Sequence, residues 1–292
     1  FLNIFFGDEM PMKNSEITVA YWSTKGLGAP LRQMVLYSGV PLKCIFYKTT
    51  AVQTQDGLSV EGSHWHLGAK PALQKINPLI NLPYVEIHDA DQKIVVAQSI
   101  ACMTLLAREL DMQGSDRNEN SQCEQLLCEI MDVRNKMVEF AYAQHENQQQ
   151  AAAELFDATM VADRGSFKKI ERWLESKKSS STDCFLVGSA ASAADFALFE
   201  MLDQYACLIR FFELIPCENK NSAEILEACD KSHLANLYEN FRNSPQMEKY
   251  FQSPLNDLPF NNKSASFGSG KGGEQWNPEL DVDSTPECIQ FN

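Results

Sequence analysis

The sequence lacks the features of a membrane-spanning or nucleic-acid-binding protein. Its 292 residues contain no run of 18 apolar residues, so no transmembrane helix is predicted. Basic residues are scarce, because 25 Lys and Arg stand against 39 Asp and Glu, which gives a net charge of −14. Surfaces that neutralise phosphate need clustered positive charge. This balance therefore argues against partners such as nucleic acid or an anionic membrane.

Paired metal ligands are also missing. The nine cysteines include no C-x-x-C pair, although zinc sites usually need ligands at short spacing. His64 and His66 form the only close histidine pair, and two lone imidazoles are a weak metal signal. The sequence predicts no metal site, and the cysteines are expected to be buried, reduced thiols of a cytoplasmic protein.

The two ends of the sequence differ from its middle. Residues 1–14 are interpreted as an extension, either the end of a longer segment or a stretch before a true start at Met10 or Met12. Residues 255–292 are rich in Asn, Ser, Gly and Pro and contain few large apolar side chains. This composition predicts a disordered tail.

The first third of the sequence alternates strand and helix patterns. Residues 16–21 and 43–48 are β-branched and aromatic, as in strands. Between them, apolar side chains recur at helical spacing until Gly39. This order predicts a right-handed β-α-β unit with parallel strands. Residues 50–80 are polar and are expected to form a loop with a short helix.

A hairpin and a helix complete the first predicted domain. Alternating apolar residues at 84–88 and 93–96, separated by a turn, predict two antiparallel strands. The following helix is expected from Ile100 to Leu110, with Ser99 as its cap. The whole order is that of a thioredoxin-like domain over residues 15–111.

The remainder of the pattern is helical. Beyond a linker at residues 111–119, apolar stripes at helical spacing predict an all-helical domain over residues 120–254. Ser192 and Asp195 open one helix as a variant of the capping box, which favours helix nucleation rather than chemistry. The predicted fold class is α/β plus all-α, with a thioredoxin-like domain followed by a helical domain.

Two short motifs together favour a site for an extended peptide. In Asn81-Leu82-Pro83-Tyr84 a proline precedes a strand, and a cis bond there would turn the backbone of Leu82 outward to pair with a peptide. Gln98-Ser99 lies at a helix start, whose free N–H groups attract an anion. Taken singly, a plain turn and a plain helix cap also explain them.

These motifs occur with others in a recognisable combination. They are accompanied by Tyr21-Trp22, Lys25-Gly26-Leu27, Arg32, Trp65, Met131-Asp132, Ser192-Ala193-Ala194-Asp195-Phe196 and Leu202-Asp203-Gln204-Tyr205. Over about residues 16–254 the chain resembles a cytosolic glutathione transferase, most closely one of the mu class. Two segments, 28–32 and 39–41, are more similar to the sigma class. Ser23 and Lys25 also depart from the mu pattern, which usually has Asp and Arg there.

The resemblance implies a catalytic residue and an electrophile site. Tyr21 holds the position of the family's catalytic tyrosine, whose hydroxyl would donate a hydrogen bond to the glutathione sulfur. Ser23 is the alternative, because other classes of the superfamily use a serine just after the first strand. Tyr142 falls where mu-class enzymes carry an aromatic group that faces the electrophile. Arg32 is interpreted as a structural ion-pair partner rather than a ligand contact.

The resemblance also implies a set of glutathione-binding residues. The backbone of Leu82, before a cis-proline at Pro83, would pair with the cysteinyl part. The γ-glutamyl carboxylate would be held by Gln98 and Ser99, and the γ-glutamyl amino group by Asp132 of the other subunit. Trp65 and Lys70 would meet the glycyl carboxylate. Trp22 and Asn81 complete the set.

The implied function is conjugation of the glutathione thiolate to small hydrophobic electrophiles, a detoxification reaction. Glutathione would be the co-substrate, and no metal would take part. The protein is expected to be a cytoplasmic homodimer. Two alternatives are a non-catalytic binding or scaffolding subunit of the same family and a glutathione-dependent isomerase.

Overall fold

The computed structural model describes residues 16–54, 57–88, 93–177, 185–218, 220–277 and 287–292. The predicted extension at residues 1–14 lies outside these ranges, as does Cys184. Within them, a sheet with flanking helices is followed by a long helical part. This arrangement confirms the predicted fold class.

Two sheets are formed by seven described strands. They are β1 (Glu16–Trp22), β2 (Leu42–Tyr47), β3 (Thr50–Thr54), β4 (Gly57–Glu61), β5 (Tyr84–His88), β6 (Lys93–Ala97) and β7 (Cys288–Phe291). The main sheet has the order β6-β5-β1-β2-β7, and β3 and β4 form a separate hairpin. That hairpin lies in the segment predicted to be a loop, whose polar residues concealed it. The turn expected after β5 lies outside the described residues.

Ten α-helices are described, seven of them in the helical part. They are α1 (Ala29–Ser38), α2 (Lys70–Leu73), α3 (Ser99–Glu109), α4 (Arg117–Tyr142), α5 (Gln148–Phe156), α6 (Ser166–Ser176), α7 (Ala193–Phe211), α8 (Ser222–Ala228), α9 (Ser232–Arg242) and α10 (Glu248–Phe251). A π-helical turn at His64–Ala69 precedes α2. None of the described helices combines the length and apolarity needed to cross a membrane.

The β-α-β unit forms as predicted. Strands β1 and β2 pair in parallel, with Ile17 opposite Leu42. Helix α1 between them has Pro30 in its first turn, where the missing N–H is not needed. It ends at Gly39, whose φ of 76° is the left-handed conformation that glycine adopts easily. Its buried side chains pack into the core shared with the sheet.

Two helix starts test the capping predictions. Asp195 accepts hydrogen bonds from the backbone N–H groups of Ser192 at 2.8 Å and Leu186 at 2.7 Å, so the predicted capping box is confirmed. The prediction for α3 was wrong, because Gln98 is the cap and Ser99 is the first helical residue. The left-handed φ of 75° at Gln98 turns the chain one residue earlier than expected.

The predicted disordered tail is ordered wherever it is described. Leu255, Phe260 and Phe267 are buried against the rest of the chain. Strand β7 pairs antiparallel with β2, with Cys44 opposite Ile289. Residues 278–286 lie outside the described residues. Few but well-spaced aromatic side chains anchor this segment, which a count of apolar residues does not detect.

Strand β7 covers the edge of β2, so its removal should expose backbone groups. The Phe46 N–H donates to the Glu287 carbonyl at 2.9 Å. Deleting residues 287–292 should therefore speed amide exchange in β2 and promote edge-to-edge self-association. Exchange mass spectrometry and light scattering measure both effects. Gln290→Ala, which keeps the backbone pairing, should change neither, and a truncated chain with unaltered β2 exchange would contradict the prediction.

Candidate functional site

Three predicted site segments lie at one edge of the main sheet. In the antiparallel pair of β1 and β5, Ala20 lies opposite Tyr84, so Tyr21 comes beside Pro83. In the next pair, Tyr84 lies opposite Ala97, which brings Gln98 beside the same proline. Because β6, β5 and β1 are neighbours, the phenol, the proline turn and the start of α3 share this edge.

The wall around Tyr21 is built from two glycines in the loop that follows β1. A Cβ atom at Gly26 would lie 2.8 Å from Cε1 of Tyr21, and one at Gly28 would lie 2.9 Å from its Cβ. Gly26 also has a φ of +39°, which disfavours other residues. Tyr21 is only 7% exposed. The loop therefore encloses the phenol ring closely.

A buried arginine fixes this loop. The Arg32 guanidinium donates to the carbonyls of Thr24 at 2.9 Å and Trp22 at 3.3 Å. It also lies 4.8 Å from the ring centroid of Phe46. The interpretation as an ion-pair partner was wrong for the described residues, where its hydrogen bonds go to carbonyl oxygens. Its role is nonetheless structural, because the side chain is wholly buried.

The proline turn and the start of α3 form the peptide-like half of the site. The Leu82–Pro83 bond is cis. Leu82 is half-buried, whereas Asn81 and Gln98 are exposed. Ser99 is half-buried in the first turn of α3, where the N–H groups are free to bind an anion. The cis-proline turn and the start of α3 thus lie side by side.

Trp65 occupies a different environment from the one expected of a ligand contact. Its side chain is wholly buried and packs on the rings of Tyr47 and Tyr84, with centroids at 4.9 and 6.0 Å. Its indole nitrogen has no hydrogen-bond partner among the described residues. The Lys70 ammonium lies 6.0 Å from the Trp65 ring centroid. Lys70 is the more accessible of the two.

Trp22 and Asp132 lie at the margins of this site. Trp22 is half-buried, and its ring centroid lies 6.1 Å from that of His66. Asp132 is exposed on α4, between the buried residues Ile130 and Val133. No ion pair or hydrogen bond joins Asp132 to another described side chain. It is therefore accessible to another molecule.

Tyr142 lies near Tyr21 and belongs to the helical part. It is the last residue of α4, and its hydroxyl accepts a hydrogen bond from the Asn262 N–H at 2.9 Å. Burial raises the pKa of its phenol, while the backbone N–H of Asn262 opposes this effect and the nearby phenol of Tyr21 adds to it. The two phenols are thus close enough to interact electrostatically.

A segment that the sequence analysis missed connects both phenol-bearing elements. Residues 259–266, called the strap here, accept hydrogen bonds from the N–H groups of Lys25 and Gly26 at 2.8 and 3.1 Å. At its other end the Ser266 N–H donates to the Ala141 carbonyl at 2.7 Å. Pro259 and the aromatic residues around it were the available signal for an ordered segment.

The described residues include no group of three or more His, Cys, Asp or Glu side chains arranged to hold a metal ion. Most of the described cysteines are buried, although Cys128 and Cys288 are exposed. Burial raises the pKa of the Cys44 thiol to about 11.

Comparisons with known proteins agree with this geometry. Residues 131–254 match the family model described as "Glutathione S-transferase, C-terminal domain". A glutathione S-transferase of Dirofilaria immitis is 24% identical over 185 residues, or 63% of this chain and 74% of its own. Glutathione S-transferase 2 of Gallus gallus is 26% identical over 188 residues, or 64% of this chain and 74% of its own.

Solved structures share the fold. The crystal structure of the glutathione S-transferase Blo t 8 superposes with a TM-score of 0.64 at 20% identity, covering 86% of this chain and 99% of its own. The Pi-class glutathione S-transferase of Onchocerca volvulus gives 0.57 at 19% identity, covering 85% and 99%. These findings do not distinguish the mu from the sigma class. Together, these comparisons show that the chain has the fold of the glutathione S-transferases and that residues 131–254 are similar to their C-terminal domain.

Proposed function

We propose that this protein is a glutathione transferase that conjugates the glutathione thiolate to small hydrophobic electrophiles. The observation that carries the proposal is the sheet edge where the Tyr21 phenol, the cis Leu82–Pro83 turn and the start of α3 meet. A tripeptide with an acidic end and a central thiol fits these three features together. The similarity of the chain to glutathione S-transferases supports the same conclusion.

Glutathione would lie extended along this edge. The backbone of Leu82 would pair with the cysteinyl residue, and Gln98 and Ser99 would hold the γ-glutamyl carboxylate at the positive end of α3. For the glycyl carboxylate we favour Lys70 over Trp65, because the indole N–H is covered in this structure. Asn81 would lie beside the glycyl carboxylate, and Trp22 would lie at the margin of the glutathione site.

The phenol of Tyr21 would supply the activation. A free thiol with a pKa near 8.5 is only ~3% ionised at pH 7. A hydrogen bond to the thiolate is worth about 1.5–3 kcal/mol, which lowers the thiol pKa by roughly 1–2 units. No hydrogen bond among the described residues uses the Tyr21 hydroxyl, which supports its availability as the donor. The thiolate would then attack the electrophilic carbon, forming a C–S bond as the leaving group departs with its electron pair.

The electrophile would bind between the loop after β1 and the helical part. Tyr142 and the strap border this space. Next to Gly26 lies a small, largely apolar pocket. Its lining includes Leu27, Met103, Met131 and Met201. An apolar lining with few polar groups favours hydrophobic substrates.

The class, location and assembly are part of the same proposal. The motifs around Tyr21 and Asp132 favour the mu class, although Ser23 and Lys25 depart from the mu pattern. We further propose a cytoplasmic homodimer with a detoxification role, in which Asp132 reaches the γ-glutamyl amino group of the neighbouring subunit. No described feature favours the scaffolding or isomerase alternatives.

Tyr21→Phe should raise the pKa of the bound thiol toward ~8.5 and lower kcat/KM at pH 7 roughly tenfold. The loss should vanish as the pH rises above that pKa, because the thiol then ionises without help. The pH dependence of aryl halide conjugation measures this shift, and the glutathione KM should stay nearly constant. Tyr37→Phe, remote from the site, is the matched control. Equal pH profiles for Tyr21→Phe and the parent, with a shifted profile for Ser23→Ala, would assign the role to Ser23.

The homodimer can be tested at an exposed apolar side chain near the glutathione site. Leu79 and Ile76 are 77% and 60% exposed and lie close together in the chain just before Asn81, and neighbouring exposed apolar side chains favour burial in an interface. Leu79→Asp should convert the dimer into monomers and weaken glutathione binding severalfold, since Asp132 would lose its partner site. Sedimentation and equilibrium binding measure these effects. Val161→Asp, which changes an exposed apolar residue of the helical part, is the control and should leave the sedimenting mass of the dimer unchanged. A parent protein that sediments as a monomer would refute the proposed homodimer.

A further inference from the structure

A buried lysine ties the loop that encloses Tyr21 to the helical part. The Lys25 ammonium donates to Oδ2 of Asp203 on α7 at 3.2 Å. The residue is only 6% exposed. Its side chain also lies over the Phe260 ring, 4.7 Å from the centroid. One side chain therefore joins the loop, α7 and the strap.

The partner carboxylate is itself held in place. Oδ1 of Asp203 accepts a hydrogen bond from the hydroxyl of Tyr238 on α9 at 2.8 Å. Both oxygens of the carboxylate thus have a donor from a different element. Burial alone would lower the pKa of Lys25, but the charge of Asp203 and its hydrogen bond to the ammonium outweigh this effect and raise the pKa. The lysine therefore stays charged.

The backbone of Lys25 connects this ion pair to the wall of the site. Its carbonyl accepts hydrogen bonds from the N–H groups of Gly28 and Ala29, both at 2.9 Å. Its own N–H donates to the Pro259 carbonyl at 2.8 Å. Gly26 and Gly28, the two residues that touch the Tyr21 ring, thus follow closely on a residue that is fixed through both its backbone and its side chain. A shift of Lys25 would move both glycines.

A buried ion pair is weak support for a purely stabilising role. Taking two charges out of water costs much of what their attraction returns, and well-packed apolar residues often serve stability equally well. An ion pair does, however, impose a defined geometry on the groups that carry it. The contacts of Lys25 fix the loop that encloses Tyr21 to α7 and to the strap.

We propose that Lys25 is a positioning residue, whose ion pair with Asp203 holds the Gly26–Gly28 wall in register and so directs the Tyr21 hydroxyl at the glutathione thiol. This inference rests on the proposed function. It assigns a role in the reaction to Lys25, a position that differs from the mu pattern. It concerns the activation of the thiol rather than the affinity for glutathione.

The test compares Lys25→Met, Lys25→Arg and Asp203→Asn with the double variant Lys25→Met/Asp203→Asn. Lys25→Met should move the kinetic pKa of the bound thiol toward that of the free thiol and lower kcat/KM at pH 7 about five- to tenfold, with the glutathione KM changed less than twofold. Lys25→Arg should restore most of the activity. The double variant should lose no more than Lys25→Met, because both changes remove one interaction.

A second arm separates positioning from general destabilisation. In a Tyr21→Phe background, Lys25→Met should have no further effect on the kinetic pKa, because the group that it directs is gone. Lys93→Met, which removes the Lys93–Glu86 ion pair elsewhere in the first domain, is the matched control and should leave the pH profile unchanged. If Lys25→Met does not fold, the double variant, which leaves no unpaired charge, takes its place.

Two outcomes would overturn the inference. One is an active Lys25→Met enzyme with lowered thermal stability but an unshifted kinetic pKa. The other is a loss of rate from Lys25→Met that is as large in the Tyr21→Phe background as in the parent protein. The ion pair would then be merely structural. A parent protein that binds no glutathione and conjugates no electrophile would instead refute the proposed function itself. The two failures are therefore distinguishable.

Discussion

The arrangement of the site depends on one wholly buried guanidinium. Arg32 sits in the first turns of α1 and donates to the carbonyls of Trp22 and Thr24, on either side of the turn that follows β1. Burying a charge costs several kcal/mol unless it is paired and hydrogen-bonded. Here two carbonyl oxygens and the face of Phe46 offset part of this cost, and Nε has no hydrogen-bond partner among the described residues. Without the Arg32 guanidinium, the carbonyls of Trp22 and Thr24 would lose these hydrogen bonds.

This constraint matters because the proposed reaction needs only one hydrogen bond of modest strength to the thiolate, but that bond must have accurate geometry. A hydrogen bond worth about 1.5–3 kcal/mol changes the ionised fraction of a thiol severalfold. Such a bond weakens steeply when its geometry is poor. The loop after β1 therefore has its backbone groups bonded on three sides, to α1 through Arg32, to β2 through the Ser23 N–H, and to the strap through Lys25 and Gly26.

The parts of the fold with strong local patterns were predictable from the sequence. The parallel pair of β1 and β2 follows from two apolar strands around a helix, and the hairpin of β5 and β6 follows from alternation. Because register decides which residues share a sheet edge, these strands also place Tyr21 near Pro83 and Gln98. A local pattern thus predicted a non-local arrangement.

What the sequence did not predict depends on tertiary packing. Trp65 lies in a polar stretch, so nothing local shows that Tyr47 and Tyr84 cover its ring. The cap of α3 was misplaced by one residue because a left-handed glutamine is a rare conformation that its neighbours impose. Arg32 was assigned a carboxylate partner, since carbonyl oxygens carry no sequence signal.

The strap and β7 illustrate why composition misjudges a segment of this kind. Disorder is predicted when too little apolar surface is available to offset the entropy of ordering the chain. That balance changes when the segment adds to structures that already exist, because β2 offers a preformed edge and the loop after β1 offers fixed donors. The entropy of closing a long connection grows only slowly with its length. A few buried anchors such as Phe260 and Phe267 therefore suffice, and the strap fixes the loop that follows β1 at the site.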